Sequence, residues 1–291
     1  MKKFKILIPV YNDWDSLSKL LEEINNIIKS IKDSEFSCLI INDCSTIEAP
    51  KIKIPSNISS LKLINMKKNK GHARCNAFAF KYLVKNNDFD YLIVMDGDGE
   101  DRAEELKLLT EKVFAEPNTS VVARRIKRSE GPIFQLLYQI HKILTFIFTG
   151  KNINFGNYSC LTKNDVKILS ETKSLWSSFS GSVKKHILKL NSVNSIRGMR
   201  YFGPSKMSLL NLIVHSFAIM AVFKEKVFLR SSILIIILVY MSTKMNLLFI
   251  LLLFSLVIFN LLIYLVSLRE NEKDFLSSGA DIGSINTYKH Q

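Results

Sequence analysis

Cysteine is scarce in this sequence. Its 291 residues include four cysteines, and no two of them form a Cys-x-x-Cys pair: Cys38, Cys44, Cys75 and Cys160. A disulfide framework needs a denser set of cysteines, and structural zinc sites usually draw on closely spaced pairs. The sequence therefore excludes a disulfide-stabilised fold, argues against a structural zinc site and indicates a reducing compartment.

Acidic residues are also in deficit. The chain has 26 Asp and Glu against 40 Lys and Arg, a formal net charge of +14. Such an excess favours an anionic partner, which means nucleic acid, anionic lipid headgroups or a phosphorylated substrate. The basic residues are not interleaved with aromatic ones as on a nucleic-acid-binding surface, so we expect no nucleic acid and predict contact with anionic membrane lipid.

Long apolar runs are missing from the N-terminus. Residues 6–10 form a short run that Pro9 interrupts, so we predict a first β-strand there rather than a secretory signal, and no export. The mean hydropathy is nevertheless +0.13. Most of the apolar excess lies in the C-terminal third of the chain.

That third predicts a membrane anchor. The uncharged run 246–268, about 23 residues at about 1.5 Å each, covers the roughly 30 Å hydrocarbon core of a bilayer. We pair it with residues 227–243 in a transmembrane hairpin that turns near Lys244. Basic residues flank both ends, which predicts a multi-pass protein of the inner membrane with a cytoplasmic catalytic domain. Residues 207–223 are also apolar enough to be a third span.

The first 125 residues alternate short apolar runs with amphipathic ones. Strand-like runs are "KILIPV", "FSCLIIND", "LKLINM", "DYLIVMD" and "SVVARR", and segments with helical periodicity separate most of them. Near-continuous apolar strands in this pattern predict an α/β, Rossmann-like, mostly parallel sheet covered on both faces. Ligands of such sheets bind at the carboxyl ends of the strands.

Polar residues follow three of the predicted strands and should converge on one rim. They are Tyr11 and Asn12, the pair Asn42–Asp43, and the acidic run "DGDGED" that begins at Asp96. Asp96 and Asp98, separated by glycine, suit a Mg²⁺ or Mn²⁺ ion that bridges the protein to a diphosphate. The alternative is a solvated turn in which Asp and Gly are only turn formers.

Two further features lie near this rim. The loop-to-helix junction "NKGHARCNAF" contributes Gly71, His72 and Arg74 at a place where anions often bind, although each of them, taken singly, also suits a purely structural role. Glu104 and Glu105, which follow the acidic run, are predicted to be exposed acids in the first turn of a helix.

The segments "ILIPVYND", "LIINDCST", "NKGHARCNAF" and "VMDGDGED" resemble, in order and spacing, family 2 glycosyltransferases with the A-type nucleotide-sugar fold. The later pieces "VVARRIKR" and "RYFGPSKMSLLNL", followed by a hairpin, look like the polyprenyl-phosphate glycosyltransferases, the group of dolichol-phosphate mannose synthase and bactoprenol glucosyltransferase. The resemblance covers about residues 4 to 130, and more loosely 195 to 268.

The resemblance implies a donor pocket for a nucleotide-diphosphate sugar that carries UDP or GDP. The residues that would bind this sugar nucleotide are Pro9, Tyr11, Asn12, Asp43, Arg74 and Asp96. Asp98, assisted by Asp96, would ligate Mg²⁺ or Mn²⁺. Together with Asp101 these two aspartates are the candidate catalytic residues.

The resemblance also implies an acceptor site for a polyprenyl phosphate. Arg125 matches the arginine that contacts the acceptor phosphate in this group, and Lys142 and Arg200 are further candidates. The alternative is that Arg125 and its basic neighbours form a solvated face against anionic lipid.

Two departures from the family pattern bear on the acceptor. Cys44 and Asn42 replace a glycine and an acid, and Asn157 in "GNYSCL" stands where a carboxylate is expected. An amide cannot act as a general base, which a hydroxyl acceptor requires. A phosphate monoester, with a second pKa of about 6, is already largely ionised at neutral pH. Asn157 therefore favours a lipid-phosphate acceptor, unless Asp101 or another acid supplies the base.

We therefore predict an inverting, metal-assisted glycosyltransferase acting on a polyprenyl phosphate. Its parts are a catalytic domain at 1–205 with an interfacial helix at 132–149, a juxtamembrane helix at 206–226, two membrane helices within 227–268 that could also join copies of the chain, and a mobile cytoplasmic tail at 269–291. Transfer to a glycan or glycolipid hydroxyl, or a catalytically silent membrane scaffold, are the alternatives.

Overall fold

The computed structural model describes residues 1–127, 132–204, 208–241 and 247–290, and contains one eight-stranded sheet. The strands are β1 (Lys2–Val10), β2 (Ser34–Asn42), β3 (Ile58–Met66), β4 (Tyr91–Val94), β5 (Ser120–Lys127), β6 (Phe155–Thr162), β7 (Leu190–Ile196) and β8 (Ile282–Lys289). The helices are α1 (Trp14–Ile28), α2 (His72–Asn86), α3 (Leu106–Ala115), α4 (Pro132–Thr149), α5 (Lys163–Ser170), α6 (Phe179–His186), α7 (Leu209–Ala221), α8 (Lys224–Met241), α9 (Leu247–Ser267) and α10 (Glu272–Leu276).

The strand order is β7-β5-β6-β4-β1-β2-β3-β8. The central strands β4, β1, β2 and β3 are parallel, whereas β6 is antiparallel to both of its neighbours and β8 is antiparallel to β3. The predicted α/β class and its mostly parallel sheet are confirmed. The carboxyl ends of β4, β1 and β2 consequently share one rim.

Strand β1 shows why both faces of the sheet are covered. Successive side chains of a strand point to opposite faces. Ile6 and Ile8 pack in a buried cluster with apolar residues of α1 and α3, whereas Leu7 packs in a second cluster with residues of α2, α5 and α6. A strand buried on both sides needs a continuous apolar run, which is the pattern that predicted it.

Helices α4, α7, α8 and α9 form a third, apolar cluster beside the sheet. Phe148 of α4, Met220 of α7, Val227 of α8 and Ile263 of α9 are buried within it. The outer faces of the same helices expose many large apolar side chains, among them Leu136, Ile143, Leu210, Ile236, Leu251 and Phe254. Water-soluble surfaces rarely carry so large an apolar patch.

One helical stretch in the described part of the chain is long and apolar enough to cross a membrane, Leu247–Leu276, with a mean hydropathy of 2.8 in its most apolar window. Its apolar part is α9. Helix α8, the predicted first limb of the hairpin, packs on α9 but carries Lys224, Glu225, Lys226 and Arg230 in its first two turns. The predicted turn near Lys244 lies outside the described residues.

The C-terminal segment differs from the mobile tail that its polar sequence predicted. It forms α10 and then β8, which pairs with β3 from Ser60↔Lys289 to Met66↔Ile282. Phe275 is buried against the ring of Trp176, at 6.0 Å between centroids. A polar segment can become ordered in this way because β8 covers a strand edge that would otherwise expose unpaired backbone groups.

Removal of β8 by truncation after Ser278 is expected to lower the melting temperature in detergent. Burial of Ile282 and Tyr288 against the core contributes about 2 kcal/mol, which corresponds to a fall of about 4–8 °C. Aggregation should also increase as the β3 edge opens. The exposed residue Asn286 supplies the control, because Asn286→Ala keeps the backbone pairing. A truncated chain with an unchanged melting temperature would restore the mobile-tail prediction.

Candidate active site

The structure brings the three predicted polar strand ends together. The backbone N–H of Asp43 donates to the carbonyl of Val10, 2.9 Å away, which joins the ends of β2 and β1. Across the other neighbour of β1, a Cβ added to Gly97 would lie only 3.4 Å from the carbonyl oxygen of Pro9. The acidic turn after β4 therefore passes close to Pro9.

Asn12 links the end of β1 to the turn that follows β2. Its backbone has a positive φ of 50°, and its Oδ1 accepts hydrogen bonds from the N–H groups of Thr46 and Ile47 at 2.8 and 3.1 Å. Its own N–H donates to the hydroxyl of Ser45. Asn12 thus holds the turn after β2 against the end of β1, while its neighbour Tyr11 is 40% exposed at the rim.

Asp43 and Arg74 both fix the loop that leads into α2. The carboxylate of Asp43 accepts the N–H groups of Lys70 and Gly71, each at 2.8 Å, and its side chain is buried. The guanidinium of Arg74 donates to the carbonyl of Lys70 at 2.8 Å and lies 5.8 Å from the ring of Trp176. These contacts fix the conformation of the loop that would line the predicted nucleotide pocket.

Asp96 belongs to a compact polar group with Asn157 and His72. The amide of Asn157 donates to Oδ1 of Asp96 at 3.0 Å and lies 2.8 Å from Nε2 of His72, which in turn is 3.2 Å from the same oxygen of Asp96. The residue that replaced the expected carboxylate therefore faces the acidic turn. His72, at the start of α2, contacts the same carboxylate oxygen of Asp96 beside Asn157.

Asp101 closes the acidic turn and does not cap a helix. Its Oδ2 accepts the backbone N–H of Asp96 at 2.9 Å, and its Oδ1 lies 3.7 Å from the guanidinium of Arg125. The side chain is only 4% exposed. Arg125 in turn lies over Gly156, where an added Cβ would be 2.6 Å from the guanidinium nitrogen. Glycine at 156 is thus required for this position of Arg125.

Asp98 has a different set of partners from Asp96 and Asp101. Its Oδ1 accepts the N–H of Glu100 at 3.0 Å, and its Oδ2 pairs with Arg200, which also pairs with Asp13. Arg200, predicted as a weaker acceptor-phosphate candidate, is therefore bound at the acidic turn. Lys142 of α4 lies 5.8 Å from the ring of Tyr138 on the same helix.

The carboxyl groups of the turn differ in pKa. Burial raises the pKa of Asp101 to about 8 and that of Asp98 to about 6, and in both the charge of Asp96 adds to the effect. Burial acts in the same direction on Asp96, but His72, the Asn157 amide and Arg125 together lower its pKa below the ordinary value. Asp96 is consequently the most firmly ionised of the three.

The donor set of the turn fits a hard divalent cation. Mg²⁺ and Mn²⁺ prefer oxygen ligands and often take one or two carboxylates from the protein and the rest from phosphate and water. Asp98 and Asp96 supply carboxylates of this kind at a strand end. Within the described residues no group of three or more His, Cys, Asp or Glu side chains is preassembled for a metal, so phosphate oxygens would have to complete the coordination.

Sequence reasoning missed several residues of the site. Asp13, which immediately precedes α1, pairs with Arg200 at a separation of 187 residues. Glu105, predicted to be exposed, is buried and accepts hydrogen bonds from the hydroxyl of Ser195 at 2.7 Å and the N–H of Ile196 at 2.8 Å. The prediction for Glu105 is wrong because β7, absent from the predicted elements, passes over the start of α3.

Solved structures with the same fold support the architecture. With S. aureus TarS 1–349 in complex with UDP-GlcNAc, the TM-score is 0.51 at 15% identity, covering 80% of this chain and 70% of that one. With glucosyl-3-phosphoglycerate synthase of Mycobacterium tuberculosis, in complex with Mn²⁺, UDP-glucose and phosphoglyceric acid, it is 0.52 at 11% identity, covering 78% and 80%. At these identities the likeness concerns the fold alone.

A sequence relative and a family profile give the closer comparison. Undecaprenyl-phosphate 4-deoxy-4-formamido-L-arabinose transferase of Proteus mirabilis is 27% identical over 168 residues, 56% of this chain and 48% of the relative, so the match spans about half of that protein. The profile described as "Glycosyl transferase family 2" matches residues 5–175, more than half of the chain. The chain therefore belongs to glycosyl transferase family 2.

Proposed function

We propose that this chain transfers a sugar from a nucleoside-diphosphate sugar to a polyprenyl phosphate at a membrane surface. The observation that carries the proposal is a link between two charged sites. Asp101 holds the backbone of Asp96 on one side and lies 3.7 Å from Arg125 on the other. A donor diphosphate at Asp96 and Asp98 and an acceptor phosphate at Arg125 would thus lie on adjacent sides of one buried carboxyl group.

The helices beside Arg125 suit a lipid acceptor. Helix α4 follows β5, the strand that carries Arg125, and packs on α7. On α4, Ile140, Ile143 and Ile147 are exposed, whereas Thr145 is buried. A helix that faces water shows the opposite pattern, with its apolar residues buried and its polar residues exposed. A polyprenyl tail could stay against these apolar faces while its phosphate reaches Arg125 and Lys142.

The connection between the membrane helices and the sheet supports a hairpin. Helix α8 begins directly after the buried Phe223, and the chain that leaves α9 returns to the sheet as β8. Both outer ends of the α8–α9 unit are therefore attached to the catalytic domain. Two membrane helices with their ends on one side, flanked by basic residues, agree with an inner-membrane protein whose catalytic domain is cytoplasmic.

The proposed transfer is a single displacement. A phosphate oxygen of the acceptor, held by Arg125, forms a bond to the anomeric carbon of the sugar as the bond from that carbon to the donor's β-phosphate oxygen breaks. The electron pair leaves with the nucleoside diphosphate, and the configuration inverts. Mg²⁺ or Mn²⁺, when bound at Asp98, supplies charge neutralisation for this leaving group. The side chains of Asp96, His72 and Asn157 orient the donor.

No general base is required for this acceptor. A phosphate monoester is largely a dianion at neutral pH, so its attacking oxygen carries no proton. The amide of Asn157, which hydrogen-bonds Asp96, cannot remove a proton but can hold the turn in place. A neutral residue at this position therefore favours a phosphate over a hydroxyl as the acceptor.

Membranes that contain the chain, incubated with labelled nucleotide sugars, Mn²⁺ and undecaprenyl phosphate, are expected to yield a labelled lipid that is absent from membranes without the chain. Thin-layer chromatography separates this lipid from donor and from glycan. Undecaprenol, which has the same tail but no phosphate, is the matched control and should remain unlabelled. Label in glycan alone would favour a hydroxyl acceptor, and the absence of any product with UDP- and GDP-sugars would favour a silent scaffold.

A further inference from the structure

The segment that follows β7 lies across the acidic turn; residues 197–201 are here called the strap. The N–H of Gly198 donates to the carbonyl of Glu100, and the N–H of Tyr201 donates to the carbonyl of Asp98, each at 2.9 Å. Beneath the strap, a Cβ added to Gly99, whose φ is 90°, would lie 2.6 Å from the ring of Tyr201. The backbones of strap and turn are therefore in close contact.

Side chains fasten the strap at both ends. Arg197 forms an ion pair with Glu100, and the hydroxyl of Tyr201 donates to the carboxylate of Glu23 on α1. The ammonium of Lys19, also on α1, lies 4.5 Å from the centre of the Tyr201 ring. These contacts hold the strap independently of Arg200.

Arg200 is carried by the strap into a gap between two carboxylates. One terminal nitrogen pairs with Oδ2 of Asp98 and the other with Oδ2 of Asp13, each at 2.5 Å. The side chains of Arg200, Asp98 and Asp13 are only 13%, 18% and 19% exposed. One guanidinium thus compensates two largely buried negative charges, one at each of its terminal nitrogens.

A divalent cation at Asp98 and the guanidinium of Arg200 are both positive, so each weakens the binding of the other to the Asp98 carboxylate. Its Oδ1 is already engaged by the N–H of Glu100, so a metal ion ligated by Asp98 competes with Arg200 for Oδ2. Once the guanidinium leaves, Asp13 loses its counter-charge as well. The largely buried carboxylate of Asp13 then lies near the divalent cation at Asp98. It can ligate the cation through an oxygen, and the positive charge of the cation replaces that of Arg200.

We infer that Arg200 is the resident counter-cation of Asp13 and Asp98, that a divalent metal ion binds by displacing it, and that Asp13 is part of the metal's site. The presence of a diphosphate beside the metal rests on the proposed function. Because the strap remains tethered at Gly198 and Tyr201, the displaced guanidinium stays next to the turn and can pair with that diphosphate. Arg200 would then exchange one anionic partner for another as the donor binds.

The test measures Mn²⁺ binding alone, on the purified full-length chain in detergent, from the loss of the free-ion signal in electron paramagnetic resonance. Arg200→Ala is expected to bind Mn²⁺ about tenfold more tightly than the wild type, because a competing positive charge in direct contact is gone. The matched control is Arg124→Ala, an exposed arginine paired with Asn194, which should leave the affinity unchanged.

Asp13 is tested in the Arg200→Ala background. Adding Asp13→Asn should cancel most of the tenfold gain, since Asp13 would otherwise be an unpaired carboxylate of the site. An Arg200→Ala chain whose Mn²⁺ affinity is unchanged or lower would overturn the displacement. A gain that survives the second substitution would overturn the place of Asp13. If Arg200→Ala does not fold, Arg200→Gln, which keeps the length without the charge, gives the same comparison.

These readouts need no sugar, lipid or turnover. If the lipid product of the transfer assay is absent while Arg200→Ala tightens Mn²⁺ binding, the proposed function fails and the metal exchange stands. If the lipid forms while the affinity of Arg200→Ala is unchanged, the exchange fails and the function stands.

Discussion

Asp98→Asn is expected to lower kcat for sugar transfer on the order of a thousandfold, because in the proposed mechanism it removes the main protein ligand of the metal ion that would neutralise the leaving diphosphate. The amide oxygen of asparagine can still accept the N–H of Glu100, so the turn keeps its shape. The KM for the lipid acceptor should change little, since Arg125 is untouched. Initial rates at saturating Mn²⁺, with donor and acceptor varied separately, measure both quantities.

The control for Asp98→Asn is the same chemical change at a carboxylate on the surface. Asp88 is 70% exposed and pairs with Lys3, and Asp88→Asn should leave kcat within about twofold of the wild type. Asp96→Asn should also be impaired, since Asp96 is ionised and bonded to Asn157. A wild-type kcat for Asp98→Asn, at any Mn²⁺ concentration, would remove Asp98 from the metal site.

The sequence predicted the part of the site whose residues are close together in the chain. The acidic turn and the strand before it lie in one short run of sequence, so an apolar strand that leads directly into alternating Asp and Gly was visible without any knowledge of the fold. Contacts between distant segments left no such trace. Asp13 reads as an ordinary residue before a helix, and Glu105 as an ordinary first-turn acid, although each bonds to a residue roughly 90 or more positions away.

Residues predicted to touch the ligand have turned out to hold backbone as well. Both oxygens of Asp43 accept N–H groups, and Oδ1 of Asn12 accepts two. The sequence does not distinguish a polar strand-end residue that binds a substrate from one that binds a loop backbone, because both roles require a hydrogen-bond acceptor. The tail was misread for the related reason that an edge strand exposed on most of its surface has a polar sequence.

Arg125→Ala is expected to raise the KM for polyprenyl phosphate about a hundredfold, because the proposed charge-assisted contact to the acceptor phosphate would be lost. The KM for the nucleotide sugar should change far less. Arg125→Ala also leaves the buried Asp101 without its neighbouring cation, so the melting temperature has to be measured beside the kinetics. Arg125→Lys, which restores the charge but not the paired nitrogens, should recover part of the affinity.

Gly156→Ala tests whether the position of the Arg125 guanidinium matters, because it displaces this side chain without removing it. The new methyl group would lie 2.6 Å from the guanidinium, which must move, although the charge and its tether to β5 remain. We expect a KM for the acceptor about tenfold above that of the wild type, between the wild type and Arg125→Ala. Gly279→Ala, where an added Cβ meets nothing within 4 Å, is the matched control and should have no effect. If neither Gly156→Ala nor Arg125→Ala changes the KM for the acceptor, Arg125 belongs to the basic face that contacts lipid headgroups and not to the acceptor site.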